Sequence, residues 1–450
     1  MSQTAQPSRP RDADDRRAFL RKSMASATAL GSLVVPRSVH ADGDGSETIK
    51  VGLIGCGGRG EGAAKDALLA DPRAVLHAVG DAFADRASQC LARLNEDSEL
   101  GSRVQVSPER VFPSSGNDFD NYRHVIDSGV DVVILATPPH FRPEHLTYAV
   151  EQGKHCFVEK PISVDVPGAR QVAAACEIAR SKGLSIVSGL CWRYDHGVRA
   201  TMQKIADGAI GDIVAIESKY NAGTLWHRGD QPDWSRMEYQ IRNWLYYTWL
   251  SGDHITEQAI HSLDKTAWLQ GDIHPTSAIG LGGRQQRTDP KYGHIFDHHT
   301  VFYKYDKGVP VYFTCRQQDN TTTGVDELVL GTKGTAEVLR NRIDGETKWR
   351  YRGPKPSMYR VEHQELFESI RNAKPINNGH YMVNSTLIAI MGRLATYSGQ
   401  EVTWDQMMGS DERLGPESYT WGDVPEPPVA IPGVDIPKAL LQQQATARRS

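Results

Sequence analysis

No apolar run in this sequence approaches the ~20 residues that a membrane-crossing helix needs, so the chain reads as having no integral membrane segment. Cysteine is sparse. The six residues, Cys56, Cys90, Cys156, Cys176, Cys191 and Cys315, are scattered without a C-x-x-C pair, which excludes a zinc ribbon, a dithiol redox motif and a small disulfide-stapled scaffold. Neither sign of charge dominates: 51 Lys and Arg stand against 55 Asp and Glu, a net charge of −4. Without a basic excess there is no electrostatic case for nucleic acid as a partner. Low-complexity tracts are missing too, and 450 residues at 39% hydrophobic and 24% charged are ordinary globular material for two or three domains.

What is present begins with an address. Asp15-Arg16-Arg17-Ala18-Phe19-Leu20-Arg21-Lys22 precedes a modestly apolar stretch over 24–35, and Val39-His40-Ala41 offers small residues where a signal peptidase reads. Taken in that order, these features are those of a twin-arginine export signal over 1–41, and they predict a periplasmic or otherwise exported protein. The segment carries seven of the Lys and Arg and three of the Asp, so the remainder has a net charge of −8. This route moves proteins already folded, commonly because a cofactor must be inserted first, and a tightly held cofactor is therefore expected.

A dinucleotide site is legible over 48–190. Ile49 to Ile54 is a short aliphatic strand that runs directly into Gly55-Cys56-Gly57-Gly58-Arg59-Gly60 and then into a helical stretch, Glu61 to Ala70. This is the strand, G-x-G-x-x-G and helix order of a Rossmann fingerprint, in which Gly55 makes the tight turn, Gly57 admits the diphosphate and Gly60 packs helix on strand. A second strand, Ala74 to Gly80, ends at Asp81, 21 residues after Gly60. A carboxylate there accepts from the adenosine ribose and repels a 2′-phosphate, which favours NAD over NADP. A third strand, Val130 to Thr137, is almost continuously apolar, as a parallel strand covered on both faces should be. Its end, Thr137, Pro138 and His140, falls at the sheet edge where doubly wound folds bind ligands. Cofactor contacts are accordingly expected from Gly55, Gly57, Gly58, Arg59, Gly60, Asp81, Thr137, Pro138, His140, Glu159 and Lys160.

With these residues in place the chain resembles the glucose-fructose oxidoreductase, inositol dehydrogenase and rhizopine catabolism (Gfo/Idh/MocA) family. The likeness runs from about 49 to 405 through the glycine loop, Asp81, Ala136-Thr137-Pro138, Gly153 to Pro161 with its Glu159-Lys160-Pro161, the segment Asp253 to Asp264, and a late helix over Asn384 to Ser398. It implies an α/β architecture: an N-terminal doubly wound parallel sheet, then over 191–405 an α/β domain whose large, mostly antiparallel sheet covers the nicotinamide and mediates homo-oligomers, dimers or tetramers. It also implies that Lys160 hydrogen-bonds the reacting hydroxyl, that Pro161 shapes the following turn and that His261 is the general base. Where the family usually has Asp, this chain has Glu257, four residues before His261 and expected on the same helix face. That acid is read either as a substrate ligand or as the partner that holds His261. Asp253, His254 and His261 lack a convincing third metal ligand, and no metal is expected.

Cys191-Trp192-Arg193-Tyr194-Asp195 lies where related proteins place a substrate-side Arg or Tyr, so Arg193 and Tyr194 are either substrate contacts or interdomain packing. Strands are expected at 213–220, 299–305, 309–316 and 327–330, with a hairpin turn at 306–308. Five of nine tryptophans, Trp192, Trp226, Trp234, Trp244 and Trp249, cluster with Tyr239, Tyr246 and Tyr247; they suit either a sugar face or core and subunit packing. The tail over 406–450 carries six prolines between 416 and 437 and reads as an extended arm.

Two enzymatic readings follow, both with a small carbohydrate or polyol as substrate. One is an exported NAD-dependent oxidoreductase acting on a sugar, sugar acid or cyclic polyol. The other answers the lack of a soluble NAD pool outside the cytoplasm: an NAD-dependent glycoside hydrolase that oxidises a ring carbon transiently, eliminates the aglycone, adds water and restores its own redox state. A third is a sugar-binding protein that retains NAD without catalysis.

Overall fold

A computed structural model describes residues 47–435 and 440, apart from 117, 118 and 307; the export signal expected over 1–41 lies outside the described residues. The first sheet has six strands, β1 (Ile49–Ile54), β2 (Ala74–Asp81), β3 (Val111–Pro113), β4 (Val132–Leu135), β5 (His155–Val158) and β6 (Ile186–Ser188), in the order β3-β2-β1-β4-β5-β6. All of its pairings are parallel. Covered by helices on both faces, its strands can be apolar throughout: Val132, Val133, Ile134 and Leu135 are all fully buried. The strand order reverses between β1 and β4, and the crevice at their carboxyl ends is where such a sheet receives a ligand.

The second sheet has nine strands: β7 (Ile213–Ala222), β8 (Ser277–Gly283), β9 (His298–Lys304), β10 (Val311–Gln317), β11 (Gly324–Gly331), β12 (Gly334–Glu337), β13 (Arg342–Gly345), β14 (Trp349–Arg350) and β15 (Val402–Thr403). Their order is β14-β13-β12-β11-β7-β10-β9-β8-β15. Only β7 and β10 pair parallel, the remaining ladders being antiparallel. β9 and β10, which flank the turn expected at 306–308, pair antiparallel; residue 307 itself lies outside the described residues. One face of this sheet is covered by the helix Gly379–Ser398, which starts five residues before the expected Asn384; the Tyr303 hydroxyl donates to the Ile388 carbonyl at 3.1 Å. The other face stays open, with Ile279, Leu281, Phe302 and Tyr312 exposed.

The chain then returns to the first sheet. Helix Met358–Arg371 places Val361, Leu366, Phe367 and Ile370 in the same apolar cluster as Ile49, Leu53, Ala63 and Leu68. Arg371 closes the seam by donating to Asp71 at 2.6 Å. No helix among the described residues is long and apolar enough to cross a membrane.

Candidate functional site

The glycine loop performs three separable steric tasks. Gly55 has φ +94°, and a side chain there would stand 2.6 Å from the backbone of Ala136 and Thr137. A Cβ on Gly60 would meet the Gly55 carbonyl oxygen at 1.8 Å, so only glycine lets the helix Gly58–Ala70 start this close to β1. At Gly57 and Gly58, by contrast, an added Cβ meets nothing within 4 Å. Both line a cavity of about 330 Å³ whose walls also include Asp81, Thr137, Pro138 and Glu257. A dinucleotide fits this donor set. The helix N-terminus and bare loop suit a diphosphate, and Asp81, whose two oxygens accept from the Cys56 and Phe83 amides at 2.6 and 2.9 Å, retains lone pairs for ribose hydroxyls. Burial pushes the Asp81 carboxyl above its ordinary range, with the two amides pulling against it.

Three strand spacings from β2, at the end of β5, stands Lys160. At ~4.8 Å per spacing that is roughly 14 Å from Asp81, a separation suited to the two ends of an extended dinucleotide. Its ammonium donates to the Glu257 carbonyl at 2.5 Å and to the Glu257 carboxylate at 3.0 Å, with both side chains mostly buried. His261 lies in the first turn of the helix Ile260–Leu269, its Nδ1 buried without a hydrogen-bond partner. Burial, with Lys160, Lys265 and Arg59 adding like charge, holds this imidazole well below its ordinary value. Glu257 and His261 do not share one helix as expected. The Gln258 and Ala259 amides both turn onto the His254 carbonyl, at 3.0 Å each, ending the short helix His254–Glu257 before the next begins. Lys160 pairs with Glu257 and places its positive charge near enough to act on His261.

Two models of one family match this chain: "Oxidoreductase family, NAD-binding Rossmann fold" over residues 49–187 and "GFO/IDH/MocA C-terminal domain" over 198–337. The chain belongs to the Gfo/Idh/MocA family. Among curated relatives, the 2,7-anhydro-N-acetylneuraminate hydratase of Escherichia coli (strain K12) is 27% identical over 226 residues, covering 49% of this chain and 56% of the hydratase. The match thus spans little more than half of that relative. Inositol 2-dehydrogenase 3 of Saccharopolyspora erythraea is 25% identical over 65% of this chain and 73% of its own length. A solved levoglucosan dehydrogenase, in complex with NADH and levoglucosan, is 18% identical with a TM-score of 0.61 over 79% of this chain and 99% of that one, a likeness of fold.

Several Gfo/Idh/MocA-derived expectations for individual side chains need correction. Arg59 lines the cavity with its guanidinium already paired: its Nε donates to Glu159 at 2.5 Å and its NH2 to Glu362 at 3.2 Å. Glu159 is thereby a buried counterion. Burial opposes its charge, but Arg59, Arg142 and Lys160 hold it below the ordinary range, while burial and Glu159 push Glu362 well above it. His140, by contrast, is not among the residues that line the cavity. Its Nε2 pairs with the Tyr419 hydroxyl at 2.7 Å, and burial drives its pKa down to about 4. Arg193 is no substrate contact: it forks onto Asp264 at 2.8 Å and Asp272 at 2.6 Å and lies over the Tyr381 ring. Tyr194 is spent on Asn378 Oδ1 at 2.8 Å. Arg193 is thereby tied to residues that follow it in the chain, and Tyr194 is buried in the apolar cluster that holds Phe157, Val187 and Val361.

The aromatic segment divides between the two readings of it. Trp249, Tyr246 and Tyr247 are buried in a core cluster, whereas Trp226 and Trp244 line the cavity, with Phe83, Phe119 and Phe141. The tail folds back over this region. Leu414 donates to Asp165 at 2.9 Å, Trp421 lies 4.7 Å from Phe119, and the Met237 amide donates to the Gly422 carbonyl at 3.0 Å. Asp253 and His254 find a third neighbour in His299 rather than His261, with possible ligand atoms within 4.8 Å of one another. Asp253 accepts from His254 Nδ1 at 2.8 Å, from the Phe296 amide at 2.9 Å and from the Tyr397 hydroxyl at 2.5 Å, and His299 Nδ1 pairs with the Thr396 hydroxyl at 2.9 Å. Burial opposes the Asp253 charge, but His299 and His254 hold it well below the ordinary carboxylate range. This buried network ties the second sheet to the helix Gly379–Ser398.

Proposed function

We propose that the chain is an exported oxidoreductase acting on a secondary hydroxyl of a sugar, sugar acid or cyclic polyol, with NAD held tightly in the cleft between Gly57 and Glu257. The observation that carries this reading is the Lys160–Glu257 pair, set beside His261 at the far side of the sheet from Asp81. When bound, the nicotinamide supplies reversible hydride acceptance. Lys160 donates a hydrogen bond to the substrate oxygen and disperses the charge that develops on it. His261, kept neutral, takes the hydroxyl proton. Glu257 fixes the ammonium and offers its second oxygen to a neighbouring substrate hydroxyl. The names of the inositol and levoglucosan dehydrogenases support the substrate class. The open apolar face carrying Ile279, Leu281, Phe302 and Tyr312 supports a homo-oligomer formed through the second sheet.

A second reading is favoured by the hydratase among the relatives: net hydrolysis or hydration through a transiently oxidised substrate. In it the same base removes the proton on the carbon beside the oxidised one, the leaving group departs, water adds and the substrate is reduced again. One incubation separates the two. The protein is given polyols and aryl glycosides in heavy water, without added cofactor. Oxidation predicts NADH absorbance of at most one equivalent per site, a stall until an acceptor is added, and no solvent label on carbon. Deuterium in the product with no NADH accumulation reverses the order of the two readings.

The Asp81 assignment has its own test. Asp81→Ala is expected to weaken NAD by about tenfold, the scale of losing a charge-assisted hydrogen bond, and to narrow the preference over NADP. Titration of both dinucleotides against the variant measures this, and an unchanged ratio removes Asp81 from cofactor selection.

A further inference from the structure

Besides Arg59 of the glycine loop, three arginines line the cavity: Arg86, Arg228 and Arg242. Arg242 is neutralised, donating to Asp85 at 3.0 Å and to Glu238 at 2.8 Å. Asp230, the acid nearest in sequence to Arg228, is taken by Arg236 at 3.2 Å. No ion pair to Arg86 or Arg228 is formed among the described residues, although both sit in a partly enclosed cavity. A lone surface arginine needs no partner, but these two share one cleft. Burial and Arg86 together push the Arg228 guanidinium below its ordinary value, while the Arg86 charge also acts on the Asp81 and Asp85 carboxylates.

Each of them is held in place at some local cost. Arg86 stands in the first turn of the helix Ala84–Glu96, where the helix dipole disfavours a cation. Arg228 lies on the segment that follows β7, and that segment is fastened down. The Arg228 amide donates to Asn243 Oδ1 at 2.7 Å, and Asn243 Nδ2 returns to the Gly229 carbonyl at 3.1 Å. The Tyr246 hydroxyl donates to the Leu225 carbonyl at 2.8 Å. The guanidinium itself rests on the Trp226 ring, 4.4 Å from its centroid, a surface that orients it without discharging it.

A fixed cation from the second domain, a cation from the first and a bare glycine cradle thus line one cavity, with neither cation ion-paired among the described residues. We propose that Arg86 and Arg228 form a two-domain clamp on a phosphate of the bound dinucleotide, with Arg228 as a cofactor-binding residue outside the Rossmann fingerprint. The clamp rests on the dinucleotide reading given above. Guanidinium and phosphate match in charge and in fork geometry, and the source of the phosphate is either the diphosphate or an adenosine 2′-phosphate.

The experiment uses the full chain and the variants Arg228→Gln, Arg86→Gln and Arg228→Lys. Gln keeps much of the stem and a donor while removing the charge, and melting temperatures identify any variant that has not folded. NAD, NADP and ADP-ribose are titrated by calorimetry after removal of any retained cofactor, and adenosine serves as the phosphate-free probe. Each Gln variant should bind NADP, which carries both phosphate sources, at least tenfold more weakly, with a shallower salt dependence, and Arg228→Lys should recover part of the loss. Adenosine affinity should not change. An equal loss for NAD and NADP assigns the clamp to the diphosphate; a loss confined to NADP assigns it to the 2′-phosphate. Unchanged affinity in folded Gln variants, or an equal loss for adenosine, overturns the clamp. Failure of the wild-type chain to bind any dinucleotide would instead overturn the reading on which it rests.

Discussion

Replacing Lys160 by Met is expected to lower turnover by at least ~100-fold, the scale of losing a positioned proton-handling group, while the fold and the bound dinucleotide persist. Met fills the volume of the lysine stem, so packing changes little, but the Glu257 carboxylate loses the cation that sits 3.0 Å away. His261→Ala should cost a similar factor, since no other imidazole occupies the place beside Lys160. The two variants differ in pH dependence, and the sign follows from the charges. In the native protein burial and the nearby cations depress the His261 pKa, so its proton-accepting form persists below pH 6.5 and the acid limb of kcat/KM lies below that value. Removing the Lys160 charge takes away one of the terms that disfavour the imidazolium. In Lys160→Met the residual acid limb should therefore move upward, toward neutrality. Profiles of kcat/KM against pH, with dinucleotide content measured by mass spectrometry after denaturation, provide the check. Near-wild-type turnover in either variant removes that residue from the chemistry.

Two alanine substitutions only three residues apart should behave in opposite ways. Gly60→Ala places a Cβ 1.8 Å from the Gly55 carbonyl oxygen, a clash of backbone against side chain that no rotamer relieves. A loss of about 3 kcal/mol or more of stability is expected, at the upper end of overpacking costs, together with loss of the dinucleotide. Gly57→Ala adds its Cβ to open space in the cavity. Its melting temperature should stay within a few degrees of wild type while dinucleotide binding falls by at least tenfold. Thermal unfolding followed beside cofactor titration separates the two, and parallel losses in both variants would show that the loop has no distinct steric tasks.

The first sheet was legible because its signals are local. An aliphatic strand, a glycine loop and a helix follow one another within about twenty residues, and Asp81 comes at the fixed spacing that a βαβ unit imposes. Four of the five long strands of the second sheet were legible from alternation, while the Gly-rich β8 (Ser277–Gly283) was not. The side chains whose pairing was not legible share a different property, which is that their partners lie far away in sequence. Arg193 answers to Asp264 and Asp272, Arg59 to Glu362, and His140 to Tyr419. Nothing within a window around any of them announces a counterion, so a charged residue beside a motif was read as part of the motif. The break between Glu257 and His261 was hidden for a subtler reason: Gln258 and Ala259 are compatible with a continuous helix, and the interruption is visible only in the backbone hydrogen bonds. Arg228 gave no signal at all, because its meaning depends on which acids are already taken by Arg236 and Arg242.

Helix Met358–Arg371 bears on how this architecture can be divided. It belongs to the nucleotide half by packing and to the other half by connectivity, which makes the nucleotide-binding module discontinuous along the gene. A fragment cut after residue 190 would expose the apolar wall that Val361, Leu366, Phe367 and Ile370 cover, and would strip Asp71 and Arg59 of Arg371 and Glu362. The two halves are therefore not interchangeable cassettes. Grafting a new catalytic half onto this cofactor scaffold requires a donor that brings its own version of that helix, matched in both its apolar face and its charges.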